Sequence, residues 1–224
     1  MADAVIYILV LVFSVVVHEV AHGWTAWRLG DPTARDAGRL TLNPLPHIDL
    51  FGSIIVPAVL VAAGSIPLGW AKPVPVHAGR LNNPRDDHPR VAAAGPVSNF
   101  LLALVAAAGL GLVLRFGGVE AWSGGGSGAA GFLAALFRSG IIVNVVLAVF
   151  NLLPVPPLDG SWILQRFLPP SLRARYLNLQ RYGLLAVLGF MFLARYTGLG
   201  SVLRSVIITA SEPYFDLAQR VAGL

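Results

Sequence analysis

His18, Glu19 and His22 form an HExxH motif inside the first apolar run of the chain. On a helix, positions i and i+4 share a face, so His18 and His22 point at one spot and can hold one metal ion. Glu19 is one residue round from His18, within reach of water on that ion. Two imidazole ligands and a carboxylate base equip a chain for metal-assisted peptide hydrolysis. The pattern also arises by chance, but the surroundings argue against chance here. A single Asp, Lys or Arg at the centre of a membrane helix costs roughly 2.5–3.5 kcal/mol. Three titratable side chains within five positions of an apolar run need partners, and a dication is the economical one.

The elements that must position them are membrane helices. Of the 224 residues, 56% are hydrophobic and 12% charged, and the mean hydropathy is +0.71. Soluble domains carry roughly 25% charged residues. The composition predicts an integral membrane protein: an all-α, polytopic helix bundle with a small extended or β segment, set in the lipid bilayer. The expected organisation is one domain over 1–224, with a core over 4–165 and C-terminal helices over 181–224. The formal charge of +5 is spread through short loops, which speaks for topology and against nucleic-acid binding. There is no cysteine, so disulfides and thiolate ligands are excluded and a metal site must use His and carboxylate. The N-terminus lacks the basic region of a secretory signal.

Residues 4–27 are long enough for one crossing at about 20 residues per span. Gly30-Asp31-Pro32-Thr33 should end that helix. His47, in the irregular loop 43–49, is an alternative metal ligand, although a histidine closing a turn is the simpler reading. Residues 50–69 are apolar but broken by Pro57, Gly64 and Pro67, so the stretch is a span or a re-entrant element. In residues 69–76 prolines alternate, which suits an edge strand or a rigid connector. An edge there could pair with an unwound substrate. Residues 77–90 read as a charged loop, whose Asp86-Asp87-His88 run fits a solvated surface better than a metal site. A second span is expected over 91–116, with Asn99 one turn inside it, a glycine-rich linker over 123–128, and a third span over 132–153. Pro154, Pro156 and Pro157 break the last of these just before Asp159. A further span begins near 182, and Ser211-Glu212-Pro213 reads as the cap of a short amphipathic tail.

Catalytic zinc with two histidines needs a third protein ligand and one open position. His47, His77, His88 and the carboxylates are the candidates. His22 lies near the exit of the first span and Asp159 just past the exit of 132–153. If both helices cross in one direction, Asp159 reaches the metal. Of the 16 Lys and Arg residues, 11 follow the first span, precede 91–116 or follow 132–153. The positive-inside rule puts those three loops in the cytoplasm. The active site is then expected on the cytoplasmic side of the cell membrane, with 50–69 dipping in and returning.

These residues resemble the site-2 protease family of intramembrane zinc metalloproteases. The likeness rests on His18-Glu19-Val20-Ala21-His22, on Gly95-Pro96-Val97-Ser98-Asn99, and on Asn151 through Leu158-Asp159-Gly160; Gly69 to Pro75 looks like the compact bacterial members. The resemblance implies one Zn2+ held by His18, His22 and Asp159, with Glu19 as base. It implies transmembrane protein substrates, and that Asn99 and Asn151 hold the substrate backbone or order the site. Larger members carry PDZ or CBS domains, for which 224 residues leave no room. A membrane metal-ion transporter and an inactive membrane-binding relative are the rival readings.

Overall fold

A computed structural model describes residues 2–55, 59, 71–118 and 128–224. Among these residues the fold is helical and contains no strand. Three helices are long and apolar enough to cross a membrane. They are α1 (Ala2–Arg28), α3 (Pro84–Gly117) and α4 (Ala129–Asn151). The other α-helices are, in order, α2 (Thr33–Asp36), α5 (Asp159–Leu164), α6 (Pro170–Leu179), α7 (Gly183–Tyr196) and α8 (Leu199–Ala222). The chain is a multi-pass membrane protein. Val5, Ile8, Leu9, Val12 and Phe13 on α1, and Leu101, Leu104, Val105 and Leu112 on α3, remain exposed as lipid-facing side chains would.

Small residues bring the helices together. Ala103, Ala106, Ala107 and Leu110 of α3 pack with Ala134, Ile141 and Val145 of α4 and Ala218 of α8. A Cβ added at Gly111 would lie 2.6 Å from the Ala218 carbonyl oxygen. Such close backbone approach is how membrane helices gain dispersion contacts where lipid supplies no hydrophobic drive. Ile6 and Val10 of α1 pack on Val143 of α4. The core is therefore α1, α3 and α4, braced by α8.

Two elements differ from the sequence expectation. The charged stretch 77–90 is not all loop, because α3 begins at Pro84. Proline at the first helical position loses no hydrogen bond, and Asp86 and Asp87 sit where the helix dipole favours anions. At 1.5 Å per residue, 34 residues span about 51 Å. That exceeds the roughly 30 Å hydrocarbon core, so the charged turns can extend beyond it. Likewise Ser211-Glu212-Pro213 caps nothing: α8 runs through it from Leu199 to Ala222. The Ser211 hydroxyl donates to the Ile207 carbonyl at 2.7 Å, and Tyr214, Phe215 and Leu217 pack on the α3–α4 core. The tail lies on the bundle.

The extended segment expected near 70–76 takes no strand pairing; residues 71–76 are irregular chain. Leu50–Ile55 form a π-helical turn, and most of the stretch expected to dip into the membrane lies outside the described residues, as does most of the glycine-rich linker. Gly30, at φ +105°, turns the chain after α1, as the sequence suggests.

Asp31 then fastens the following loops. Its buried carboxylate accepts from the backbone N–H of Thr33 (3.0 Å), the Thr33 hydroxyl and the N–H of His77 (2.5 Å). Burial raises its pKa, but these donors and the nearby Arg80 outweigh that and leave it below the usual carboxylate value. A carboxyl lowered on folding contributes stability that is full above its unfolded pKa of about 3.9 and is lost as pH falls through the folded value. Asp31→Ala should destabilise the protein by about 1–3 kcal/mol, the cost of buried donors left unpaired. Thermal unfolding in detergent between pH 3 and 7 checks this, and the variant's acid-side decline should be shallower than that of the wild type.

Candidate metal centre

The helical spacing of α1 brings the two imidazoles together as expected. Their Nε2 atoms stand 3.0 Å apart. The third corner comes from the first residue of α5. Asp159 Oδ2 is 3.1 Å from His18 Nε2, and Asp159 Oδ1 is 3.3 Å from His22 Nε2. Four-coordinate zinc with bonds of about 2.0 Å has ligand–ligand edges of about 3.3 Å. The three separations, 3.0–3.3 Å, lie near that edge, with each imidazole facing a different oxygen of Asp159.

Hydrogen bonding on the far side of each ring fixes which nitrogen faces inward. His18 Nδ1 lies 2.6 Å from Asn99 Oδ1, and His22 Nδ1 lies 2.7 Å from the Val91 carbonyl oxygen. The Val91 carbonyl can only accept, so His22 Nδ1 carries its proton there. A relay of amides settles His18. The Asn144 side-chain NH2 donates to the Gly140 carbonyl at 2.9 Å, which turns its Oδ1 toward Asn99. The Asn99 NH2 donates to that Oδ1 at 2.8 Å, which turns its own Oδ1 toward His18. In its neutral form each imidazole then aims an Nε2 lone pair at the other and at Asp159. Asp159 Oδ2 is buried and makes no hydrogen bond among the described residues. A carboxyl is ionised at neutral pH, so Asp159 adds a third acceptor to the group. Three acceptors directed at one point repel unless a cation stands between them. The donor set, two nitrogens and one oxygen with a fourth position left over, fits zinc.

Neighbouring backbone is shaped around this group. A Cβ at Gly95 of α3 would fall 2.5 Å from His18 Cε1 and 2.6 Å from His18 Nε2. At Gly160, beside Asp159, a Cβ would fall 2.6 Å from the Leu153 carbonyl oxygen. Each glycine lets one backbone approach as closely as the cluster requires. The Pro156–Pro157 peptide between α4 and α5 is cis.

Glu19 follows His18 on α1, and its Oε2 accepts from the Val74 N–H at 2.8 Å. Segment 71–76 is thus tied to the reacting centre. Its Lys72 N–H donates to the His47 carbonyl at 2.9 Å, and its Lys72 carbonyl accepts from Arg39 Nη2 at 2.7 Å.

The remaining sequence candidates take other partners. Asn99, fully buried, orders His18 as described. Asn151 ends α4, and its Nδ2 donates to the Leu147 carbonyl at 2.9 Å. His47 Nε2 lies 3.1 Å from the Thr41 carbonyl oxygen, closing its own loop. His88 stacks edge-on to Trp162 with centroids 4.3 Å apart. Asp86 pairs with Arg166, and Asp87 with Arg90 and the Asn83 N–H. Asn144 had no place in the sequence reading. Its only signal is an amide within the apolar run 140–150, where a polar group needs a partner.

Comparison with known proteins identifies the family. Peptidase family M50 matches residues 6–123 and 117–194. This chain belongs to that family, the site-2 proteases. It is 40% identical over 181 residues to the protein named "Putative zinc metalloprotease YwhC" of Bacillus subtilis, covering 81% of this chain and 77% of that one. It is 32% identical to "Putative zinc metalloprotease Rip2" of Mycolicibacterium smegmatis, covering 81% and 66%. The Rip2 of Mycobacterium tuberculosis is 31% identical, covering 87% and 70%. No solved structure matches the chain.

Three variants test the metal centre. Asn144→Leu should weaken zinc retention against a chelator by about 10- to 100-fold, as loss of a ligand-orienting partner does. Asn144→Asp, which keeps the acceptor for Asn99, should recover most of it. Gly95→Val should abolish zinc binding by filling the space against His18, measured as metal content of the purified protein.

Proposed function

We propose that His18, His22 and Asp159 are the protein ligands of one zinc ion and that Glu19 is the general base. As a member of family M50 the chain is a zinc metalloprotease of the site-2 type. It hydrolyses peptide bonds in or near transmembrane segments of other membrane proteins. The observation that carries the residue roles is the convergence of two Nε2 lone pairs and an unbonded carboxylate oxygen, each ring held from behind through Nδ1.

When bound, zinc supplies Lewis acidity toward the scissile carbonyl and makes water a stronger acid. Glu19 takes a proton from the attacking water and hands it to the departing amine. The Val74 N–H steadies Glu19 through Oε2, which leaves Oε1 for the water. Asn99 keeps His18 in the tautomer that presents Nε2.

A substrate helix must unwind before its carbonyl is accessible. Segment 71–76 is irregular chain tied to Glu19 through the Val74 N–H. Prolines 73 and 75 have no N–H, and the N–H groups of Lys72 and Val74 are used inward. An unwound substrate laid along it would give N–H groups to the segment's carbonyls and receive few in return. Recognition by strand addition is therefore one-sided, which favours brief capture over tight holding.

The basic residues beside α1, α3 and α5 support a site on the cytoplasmic side of the plasma membrane. We read the chain as one protease domain, with core 4–165 and the helices of 181–224 as its brace. A metal carrier is not favoured, since the ligands form one compact group with a carboxylate base beside them rather than a path.

Glu19→Gln should retain zinc at the wild-type ratio while cleavage of a transmembrane test substrate falls by about 10²-fold or more, the scale of lost acid–base catalysis. Elemental analysis and a gel-based cleavage assay on the same preparation check both halves. Wild-type cleavage by Glu19→Gln would remove Glu19 from the mechanism.

A further inference from the structure

A cavity of about 470 Å3 is lined by Val76, Pro84, Arg85, His88, Trp162, Gln165 and Arg173 among others. Its walls are the same elements that build the reacting centre, read a few residues further on. Trp162 and Gln165 follow Asp159 by three and six residues, about 4.5 and 9 Å at helical rise. His88 precedes Val91, which holds His22, by three residues, about 4.5 Å. Val76 follows Val74, which holds Glu19, by two residues, about 7 Å when extended.

The cavity is set for an anion. Arg85 and Arg173 bring two positive charges, and among the described residues neither has a carboxylate partner. The nearby carboxylates are already engaged: Asp86 binds Arg166 at 2.5 Å, and Asp87 binds Arg90 at 3.0 Å and the Asn83 N–H at 2.7 Å. At the wall, Gln165 is 3% exposed, and its Nε2 is buried with no hydrogen-bond partner among the described residues. A buried amide donor without an acceptor is uncommon in a native fold and marks where a ligand oxygen is expected. Trp162, edge-on to His88, gives the cavity an apolar wall suited to the methylenes of a side chain.

We propose that this cavity is a specificity subsite for an acidic side chain of the substrate, two or three residues from the scissile bond. This rests on the protease reading of the adjoining site. An extended substrate advances about 3.3 Å per residue, so two to three residues match the roughly 4.5–9 Å of chain that separates Asp159, Val91 and Val74 from the cavity-lining residues on their own elements. The carboxylate meets Arg85, Arg173 and Gln165 Nε2. A lipid phosphate has related chemistry. The substrate is the better occupant because the cavity adjoins the reacting centre through three separate elements, so a substrate held for cleavage reaches it without a further binding event.

The test uses the full chain in phosphatidylcholine vesicles and fluorescent transmembrane peptides in which Glu, Gln or Lys is walked through the membrane-flanking residues. Binding is read by anisotropy on Glu19→Gln protein, and cleavage on protein with Glu19 intact. Glu at one or two positions should tighten binding by about 5- to 10-fold over Gln, the yield of one partly buried charged contact. Arg85→Glu and Arg173→Glu should each erase that preference, and the double reversal should favour Lys. Arg85 is exposed and Arg173 half-buried, so these variants should fold, and Gln165→Leu should weaken the preference without reversing it. Equal binding of all three peptides, or a Glu preference that survives both reversals, would overturn the subsite. So would a result in which flank charge is irrelevant but phosphatidylglycerol stimulates the protein only when both arginines are intact, because the occupant is then a lipid phosphate. Absence of all cleavage would count against the protease reading alone, since the binding arm does not need turnover.

Discussion

Two imidazole Nε2 atoms and the Asp159 carboxylate face one another at 3.0–3.3 Å, where their lone pairs repel unless a cation stands between them. This repulsion is the constraint from which the rest of the centre follows. It is created by hydrogen bonds on the far side of each imidazole: Val91 holds one and Asn99 the other. Without those bonds either ring could turn or change tautomer, and the cluster could relax by sharing a proton. With them, a cation is the available relief. The affinity for metal is thus stored in bonds that never touch it.

Those bonds require long-range order in the helices. Val91 and Asn99 are on α3, Asn144 on α4, the imidazoles on α1 and the carboxylate on α5. Gly95 lets α3 pass against the imidazoles, and Gly160 lets α5 start against the end of α4. The alanine-rich α3–α4 seam sets the separation at which Asn99 and Asn144 can join. In a hydrocarbon setting this amide relay has no water to compete with, so each member depends on the next. The same helices continue past the centre to form the cationic cavity, which joins the reaction and the choice of substrate in one frame.

What was legible in the sequence follows from locality. The meeting of His18 and His22 needs only the pitch of a helix. Asp159 was reachable by asking which way two spans cross, because charge bias carries that information. Asn144 was not legible: an amide in an apolar run announces a need for a partner without saying which, and its role exists only once α1, α3 and α4 are assembled. The bond from Val74 to Glu19 joins residues 55 positions apart through a proline-rich segment with no periodicity to read. Misreadings came from composition. Pro, Asp and Arg at 84–90 resemble a loop, yet they are the residues that suit a helix start. Pro213 resembles a beginning, but Ser211 and packing on the core carry α8 through it.

The central claim is most directly tested by zinc-edge X-ray absorption on the purified protein. The account requires two imidazole nitrogens and one carboxylate oxygen at about 2.0–2.1 Å, with the remaining position filled by a light atom from solvent. In Asp159→Ala the oxygen contribution should fall and the two imidazole contributions persist. A coordination shell unchanged by that substitution, or one that contains a single imidazole, would contradict it.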